Sequence, residues 1–249
     1  MEELQLKYED KSRKWTERDI EAELVLLDKK IEEAKESEGD VDVRDYTILK
    51  GEFLKNCAKD YPEAEKILRE AYAITGGASK KMEILFQVLL MNIEKLDLDA
   101  IKPDIATCKQ LVEDGADWEK KNKLKIFEGV YCMLIRDFKR GAELFLSSVA
   151  TFTCTELLTY ERFVFYAVVL AMVSMERKVI RKEVIHNPDI LAAIGETPHL
   201  REFADSLYKC NYKDFFKAFV EIIDLVRADK FLDTHHGHFT KEMRLVAYK

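Results

Sequence analysis

The chain has 249 residues, enough for one large or two ordinary domains, and is 47% hydrophobic, enough for a substantial core. Its 9 Gly and 4 Pro are too few for an all-β protein, which needs turn residues at short, regular intervals, so the predicted fold class is all-α. A net charge of −7 weighs against a nucleic-acid partner, which would normally be met by a basic field.

Residues 1–40 read as an N-terminal helical arm, polar over residues 2–15. Thr16 is placed to cap the next helix, with Asp19 three residues on as a capping box. Ile20, Leu24, Leu27, Ile31 and Ala34 follow at helical spacing, and the run SEGD at 37–40 breaks the pattern. Helices are then expected at 43–58 and 62–74, turned at Lys59, Asp60 and Tyr61. Pro62 suits a first helical turn, where its missing N–H would be unpaired anyway. Gly76 and Gly77 are expected to end the second helix in a left-handed cap. A further pair is predicted at 80–96 and 101–113, closed by Gly115.

Residues 118–152 form the clearest hairpin. Leu124, Phe127, Val130, Tyr131 and Leu134 draw one apolar stripe, and Phe138, Ala142, Phe145, Val149 and Phe152 draw a second. Arg136 and Asp137 alone separate them, so the two helices must pack antiparallel. Tyr61 with Ala64 and Phe138 with Gly141 take equivalent places: an aromatic to plug the gap between helices, then a small residue to let the backbones approach. They lie 77 residues apart, about two repeats of ~38. The turn recurs before Tyr212, with Phe215 in place of the small residue. Residues 41–158 are therefore read as tetratricopeptide-like repeats, stacked in a right-handed superhelix.

After Thr159 the character changes. Residues 163–173 are apolar throughout, too short for a membrane span of roughly 20 residues and better read as a helix buried on all sides. A short basic helix is expected at 177–184. Asn187 and Thr197, each followed by Pro, announce helices at 188–194 and 198–209. A longer helix is expected at 214–228 and a last one from Thr240 to Tyr248. Phe203, Tyr208, Tyr212, Phe215, Phe216 and Phe219 are read as core.

Cys57, Cys108, Cys132, Cys154 and Cys210 are odd in number and widely spaced, which argues against a disulfide framework and for a reducing compartment. The polar N-terminus carries no secretory signal pattern. His235, His236 and His238, in FLDTHHGHF (231–239), are adjacent ligands that converge poorly on a tetrahedral centre, so no metal is expected and the segment is read as an inter-helix loop. No nucleophile elbow, phosphate-binding glycine loop or zinc-protease motif is present. No catalytic residue and no cofactor is therefore assigned, and an enzyme reading has no support.

Four segments resemble the regulatory particle subunit seven family of the proteasome lid: GVYCMLIRDFKRGAELFL (129–146), GADWEKKNKLK (115–125), SLYKCNYKDFF (206–216) and EMRLVAY (242–248). The resemblance runs in order along essentially the whole chain. COP9 signalosome subunit one has the same layout with a looser match, and a signalosome or other PCI-complex scaffold is the alternative. The resemblance implies a repeat arm leading into the helical part of a PCI domain, here 159–249, with the family's winged helix absent. It also implies a non-catalytic scaffold of the lid in ubiquitin-dependent degradation, in cytoplasm and nucleus. Implied partners are other lid subunits, including a small acidic one, and the ATPase ring of the base, with no membrane and no nucleic acid. Other PCI subunits serve mRNA export or translation initiation, a reading the acidic balance disfavours. Solenoids present partners to their concave face. There Lys120, Lys121, Lys123 and Lys125, with Arg177, Lys178, Arg181 and Lys182, are the candidate residues for steering an acidic peptide.

Overall fold

A computed structural model describes Tyr8 and residues 15–37 and 39–248; most of the arm expected at 2–15 lies outside the described residues. Among the described residues all regular structure is helical. The chain divides into two compact units, Met1–Lys120 and Lys121–Lys249.

The first unit holds α1 (Glu17–Glu36), α2 (Asp40–Phe53), which runs on into a π turn (Leu54–Ala58), α3 (Tyr61–Ile74), α4 (Ala78–Lys95) and α5 (Leu98–Glu113). Helix α6 (Trp118–Leu134) starts at its end. The second unit holds the rest of α6, then α7 (Phe138–Leu146), α8 (Tyr160–Ser174), α9 (Arg177–Ile180) with its own π turn (Arg181–Ile185), α10 (Pro188–Ala193), α11 (Leu200–Tyr208), α12 (Tyr212–Ala228) and α13 (His236–Tyr248).

The capping box forms as expected. Asp19 N–H donates to Thr16 Oγ1 at 3.3 Å and Thr16 N–H donates to Asp19 Oδ2 at 3.2 Å, which satisfies two backbone donors at the start of α1. Leu27 is buried with Leu49 and Phe53 of α2, and Ile20 and Leu24 pack at the edge of this cluster. Tyr8 joins it and donates its hydroxyl to Glu23 at 2.7 Å.

One turn device recurs. Lys59, Leu96, Arg136 and Cys210 adopt left-handed φ of 57°, 59°, 65° and 57°. Each is followed by an N-cap, Asp60, Asp97, Asp137 or Asn211, whose side chain accepts from the backbone N–H three residues on. At the last three turns both backbone N–H groups also close back on the preceding helix. Asp137, for instance, donates to Cys132 O at 2.8 Å and Arg136 to Met133 O at 3.2 Å. That double closure is the Schellman pattern, which satisfies the carbonyls a helix end would leave open. The caps fall 37, 40 and 74 residues apart, so the repeat is written in the backbone as well as in the apolar stripes.

The helix contacts repeat too. A Cβ on Gly51 of α2 would lie 2.7 Å from Leu68 of α3, and one on Gly129 of α6 would lie 2.5 Å from Phe145 of α7. A Cβ on Gly141 would meet Gly129 O at 3.3 Å, so the small residue after the turn does sit at a close backbone approach. Phe145 therefore fills the space between α6 and α7. Phe138, the aromatic expected at this gap, is also buried. Its buried ring lies against His235 (centroids 5.8 Å apart) and His238 (5.7 Å) at the start of α13. Tyr61 is half-exposed and reaches α4, donating to Glu94 at 3.1 Å.

Other boundaries differ for local reasons. Helix α7 stops at Leu146 instead of running to Phe152, and Ser147 and Ser148, just past its end, both turn their hydroxyls onto Leu144 O, at 2.9 and 2.8 Å. Val149 stays buried in a 3₁₀ turn. Helix α3 ends at Ile74 with Thr75 extended, and Gly77 (φ 86°) opens α4 instead of closing α3. Helix α11 begins at Leu200, not Pro198, because His199 takes a left-handed φ of 62°. His236 and His238 lie in the first turn of α13, four residues ahead of the expected start and not in a loop.

In the second unit α8 buries every residue from Phe163 to Met172. Among the described residues no helix is long and apolar enough to cross a membrane. Phe203 of α11 stacks on Phe215 of α12 at 5.4 Å, and Phe215 on Phe219 at 5.6 Å. Tyr212 and Phe216, expected in this core, are 38% and 39% exposed, since they lie on the neighbouring face of α12.

Candidate partner-binding site

The eight candidate basic residues lie on two elements. On the first turns of α6, Lys120 and Lys123 are mostly covered and face inward to carboxylates. Lys120 meets Glu83 of α4 at 2.6 Å, and Lys123 meets Glu156. Lys121 is exposed and Lys125 half-buried. Half of this run thus ties α6 to its neighbours, and nothing in the spacing of the lysines marks which half.

The second run turns outward. Arg177, Lys178, Arg181 and Lys182 are all exposed on α9 and its π turn, while Ile180 and Val184 anchor the segment. Lys182 pairs with Glu183 at 2.8 Å, in full solvent, where such a pair contributes little. Arg177 donates to Cys210 Sγ at 3.2 Å, which joins α9 to the left-handed corner before α12. That contact, followed by one to Tyr212, holds the Cys210 thiol below its ordinary pKa. Burial has the opposite effect at Cys108 and Cys154, whose thiols are pushed up to about 12 and are inert small hydrophobes.

Three partly buried polar constellations, each pairing a buried residue with an arginine that reaches solvent, escaped the sequence reading. Arg69 of α3 donates from both terminal nitrogens to Asp104 of α5 at 3.1 Å, a two-pronged pair, and to Glu65 on its own helix. Asp229, at the end of α12, accepts from the Tyr166 hydroxyl at 2.7 Å and from Arg162 at 2.5 Å through Oδ2. Its Oδ1 accepts from the backbone of Phe231 and Leu232 at 2.8 and 3.0 Å. Finally, His235 accepts from Arg136 Nε at 2.8 Å on Nδ1 and donates from Nε2 to Leu134 O at 3.0 Å. Its neighbours point elsewhere: His236 Nδ1 donates to Asp233 O, and His238 lies on Phe138. Among the described residues no cluster of His, Cys, Asp or Glu is gathered that could hold a metal ion.

Paired helices set on one repeated corner, with apolar seams between them and a basic segment facing out, define a helical-repeat protein. The family described as 26S proteasome subunit RPN7 has a sequence model that matches residues 10–183. The chain belongs to that family. It is 39% identical over 232 residues to a 26S proteasome non-ATPase regulatory subunit 6 of Oryza sativa subsp. japonica, which covers 92% of this chain and 59% of the relative. To the 26S proteasome regulatory subunit rpn7 of Schizosaccharomyces pombe it is 30% identical over 232 residues, 92% of this chain and 58% of the relative. To the subunit RPN7 of Saccharomyces cerevisiae it is 29% identical over 233 residues, 92% and 54%. The chain thus spans somewhat less than three fifths of the length of these relatives.

Proposed function

We propose that this chain is a non-catalytic structural part of the lid of the 26S proteasome regulatory particle, scaffolding lid assembly for ubiquitin-dependent protein degradation. The observation that carries this reading is the family match over residues 10–183, which spans every corner of the repeat up to α9. Relatives named as regulatory and non-ATPase subunits support a structural over a catalytic role. We read residues 41–158 as the repeat arm and 159–249 as the helical part of a PCI domain. The recurrence of the corner at Lys59, Leu96 and Arg136, and the all-buried α8 beyond, support that division. The partners are other lid subunits and the ATPase ring of the base, in cytoplasm and nucleus. The small acidic subunit meets the outward basic face of α9, with Lys121 and Lys125 as further contacts.

Affinity-tagged chain, produced in cells and recovered under native conditions, tests this by mass spectrometry of what accompanies it. Recovery of stoichiometric lid subunits is expected. Recovery of signalosome or initiation-complex subunits in their place would overturn the assignment.

A further inference from the structure

We propose that His235 is a pH-operated latch: neutral, it pins the start of α13 to the corner between α6 and α7, and protonated, it lets α13 go.

The argument is geometric. Arg136 carries only N–H donors, so the nitrogen that faces its Nε at 2.8 Å must be a bare acceptor. That fixes Nδ1 as unprotonated and places the single ring proton on Nε2, where it donates to Leu134 O at 3.0 Å. Both ring nitrogens are thus committed, and the pattern fits one tautomer of the neutral ring. When Nδ1 takes a proton from solvent, two N–H groups face each other and a positive charge is placed on a buried ring beside the solvent-exposed Arg136. The exposed Arg136 can withdraw into solvent, but the ring cannot turn aside, because it is almost wholly buried and its face is closed by Phe138 at 5.8 Å, so the imidazolium is left buried with one N–H unmet. The corner itself is held by its Schellman bonds and the Asp137 cap, so the element free to move is α13, which follows His235 directly.

Among the described residues the carboxylates nearest in the fold are engaged elsewhere and none pairs with the protonated ring. Asp137, on the same corner, accepts from Arg140 N–H. Asp233, in the 3₁₀ turn, faces His236 at 3.8 Å. Asp229, at the end of α12, is held by Tyr166 and Arg162 of α8. The remaining ionisable groups are Arg136 from the corner and His238 from α13, and neither can offer a negative charge. Burial is the main influence and holds the imidazole below its ordinary pKa. The bond to Leu134 O works against burial, and Arg136 and His238 work with it. The sign follows. The unfolded or released ring binds a proton more readily, so the latch holds fully above the ordinary histidine value, about 6.5, and weakens as pH falls below it.

Hydrogen exchange of the intact chain, followed by mass spectrometry at about pH 7.5 and 5.5 and corrected for intrinsic rates, tests this. Peptides over residues 230–248 are expected to exchange at least about threefold faster at the lower pH, while α8 is unchanged. In His235→Gln, whose amide can serve both Arg136 and Leu134 O without titrating, the difference should vanish. Unchanged exchange over 230–248, acceleration of α8 in step with it, or acceleration that persists in His235→Gln would each overturn the proposal. Should the variant not fold, nitrogen-15 shifts of the natural chain decide: Nδ1 bare at pH 7.5 supports the latch, and Nδ1 protonated there refutes it.

Discussion

Gly129 and Phe145 occupy a space that admits a ring edge or a methyl group but not both: a Cβ on Gly129 would stand 2.5 Å from Phe145 Cε1. Phe145 is fully buried and braced by Phe163 at 5.3 Å, so it cannot swing aside. Gly129→Ala should therefore destabilise the chain by about 1–3 kcal/mol, the range for overpacking a core. This would hold although Ala is the better helix former. Urea unfolding measures it, and a variant as stable as the parent would show that α6 and α7 are not so closely packed.

Phe138→Ala removes a buried ring that touches both His235 and His238. The expected loss is about 3–5 kcal/mol. Because the ring closes one side of the His235 site, the loss should be accompanied by faster exchange of α13 amides at neutral pH. A loss under about 1 kcal/mol, the level of a surface substitution, would place the ring outside the core.

Asp229→Ala strips four donors of their shared acceptor: the Tyr166 hydroxyl, Arg162 and two backbone N–H groups. Leaving buried donors unmet costs more than the net value of the bonds. A loss of about 3 kcal/mol is expected by chemical denaturation. Tyr166→Phe, which removes one donor together with its need, should cost about 1 kcal/mol. Equal costs for the two variants would contradict the placement of Asp229 as the hub.

Lys59 holds a left-handed φ of 57°, a conformation that disfavours a side chain. Its neighbour Asp60 caps α3, so the corner is otherwise well formed. Lys59→Gly should raise stability by up to about 1 kcal/mol, as glycine does at helix ends of this kind. Asp60→Ala should lower it by about the same amount. Thermal melts of the two variants, moving in opposite directions, check the description of the corner.

Reversal of Arg177, Lys178, Arg181 and Lys182 to Glu should cost little stability, since all four side chains are exposed and the link between elements that is lost is the surface contact of Arg177 with Cys210. Binding of an acidic peptide should weaken strongly at low salt and the salt dependence should flatten. Calorimetry at low ionic strength reads it directly, and equal affinity for both proteins would remove α9 from the interface.

The parts of this fold that were legible in the sequence are those in which one residue settles a local question. Thr16 with Asp19, Asn187 before Pro188, and Tyr61 with Phe138 announced caps and corners, because capping chemistry acts over three residues. The all-buried α8 showed in its unbroken apolar run. What stayed hidden depends on distance along the chain. Arg136 and His235 are 99 residues apart, and Tyr166 and Asp229 are 63, so no periodicity joins them. Phe152 matched the stripe of α7, yet that helix stops at Leu146 and Phe152 itself is extended, a break that apolar spacing does not record. The basic runs looked alike in composition. Only neighbouring carboxylates, Glu83 and Glu156, set the inward half of the first apart from the outward face of the second.

The four corners share a backbone but none carries glycine. Lysine, leucine, arginine and cysteine stand at Lys59, Leu96, Arg136 and Cys210, in a conformation that glycine would adopt with less strain. A glycine corner would be blank. As built, each bend displays its own functional group, an ammonium, an isobutyl, a guanidinium or a thiol, so that otherwise interchangeable hairpins differ at their tips. At Arg136 and Cys210 that group is already engaged within the chain, with His235 and Arg177, so these two bends tie together elements that a glycine would leave untied.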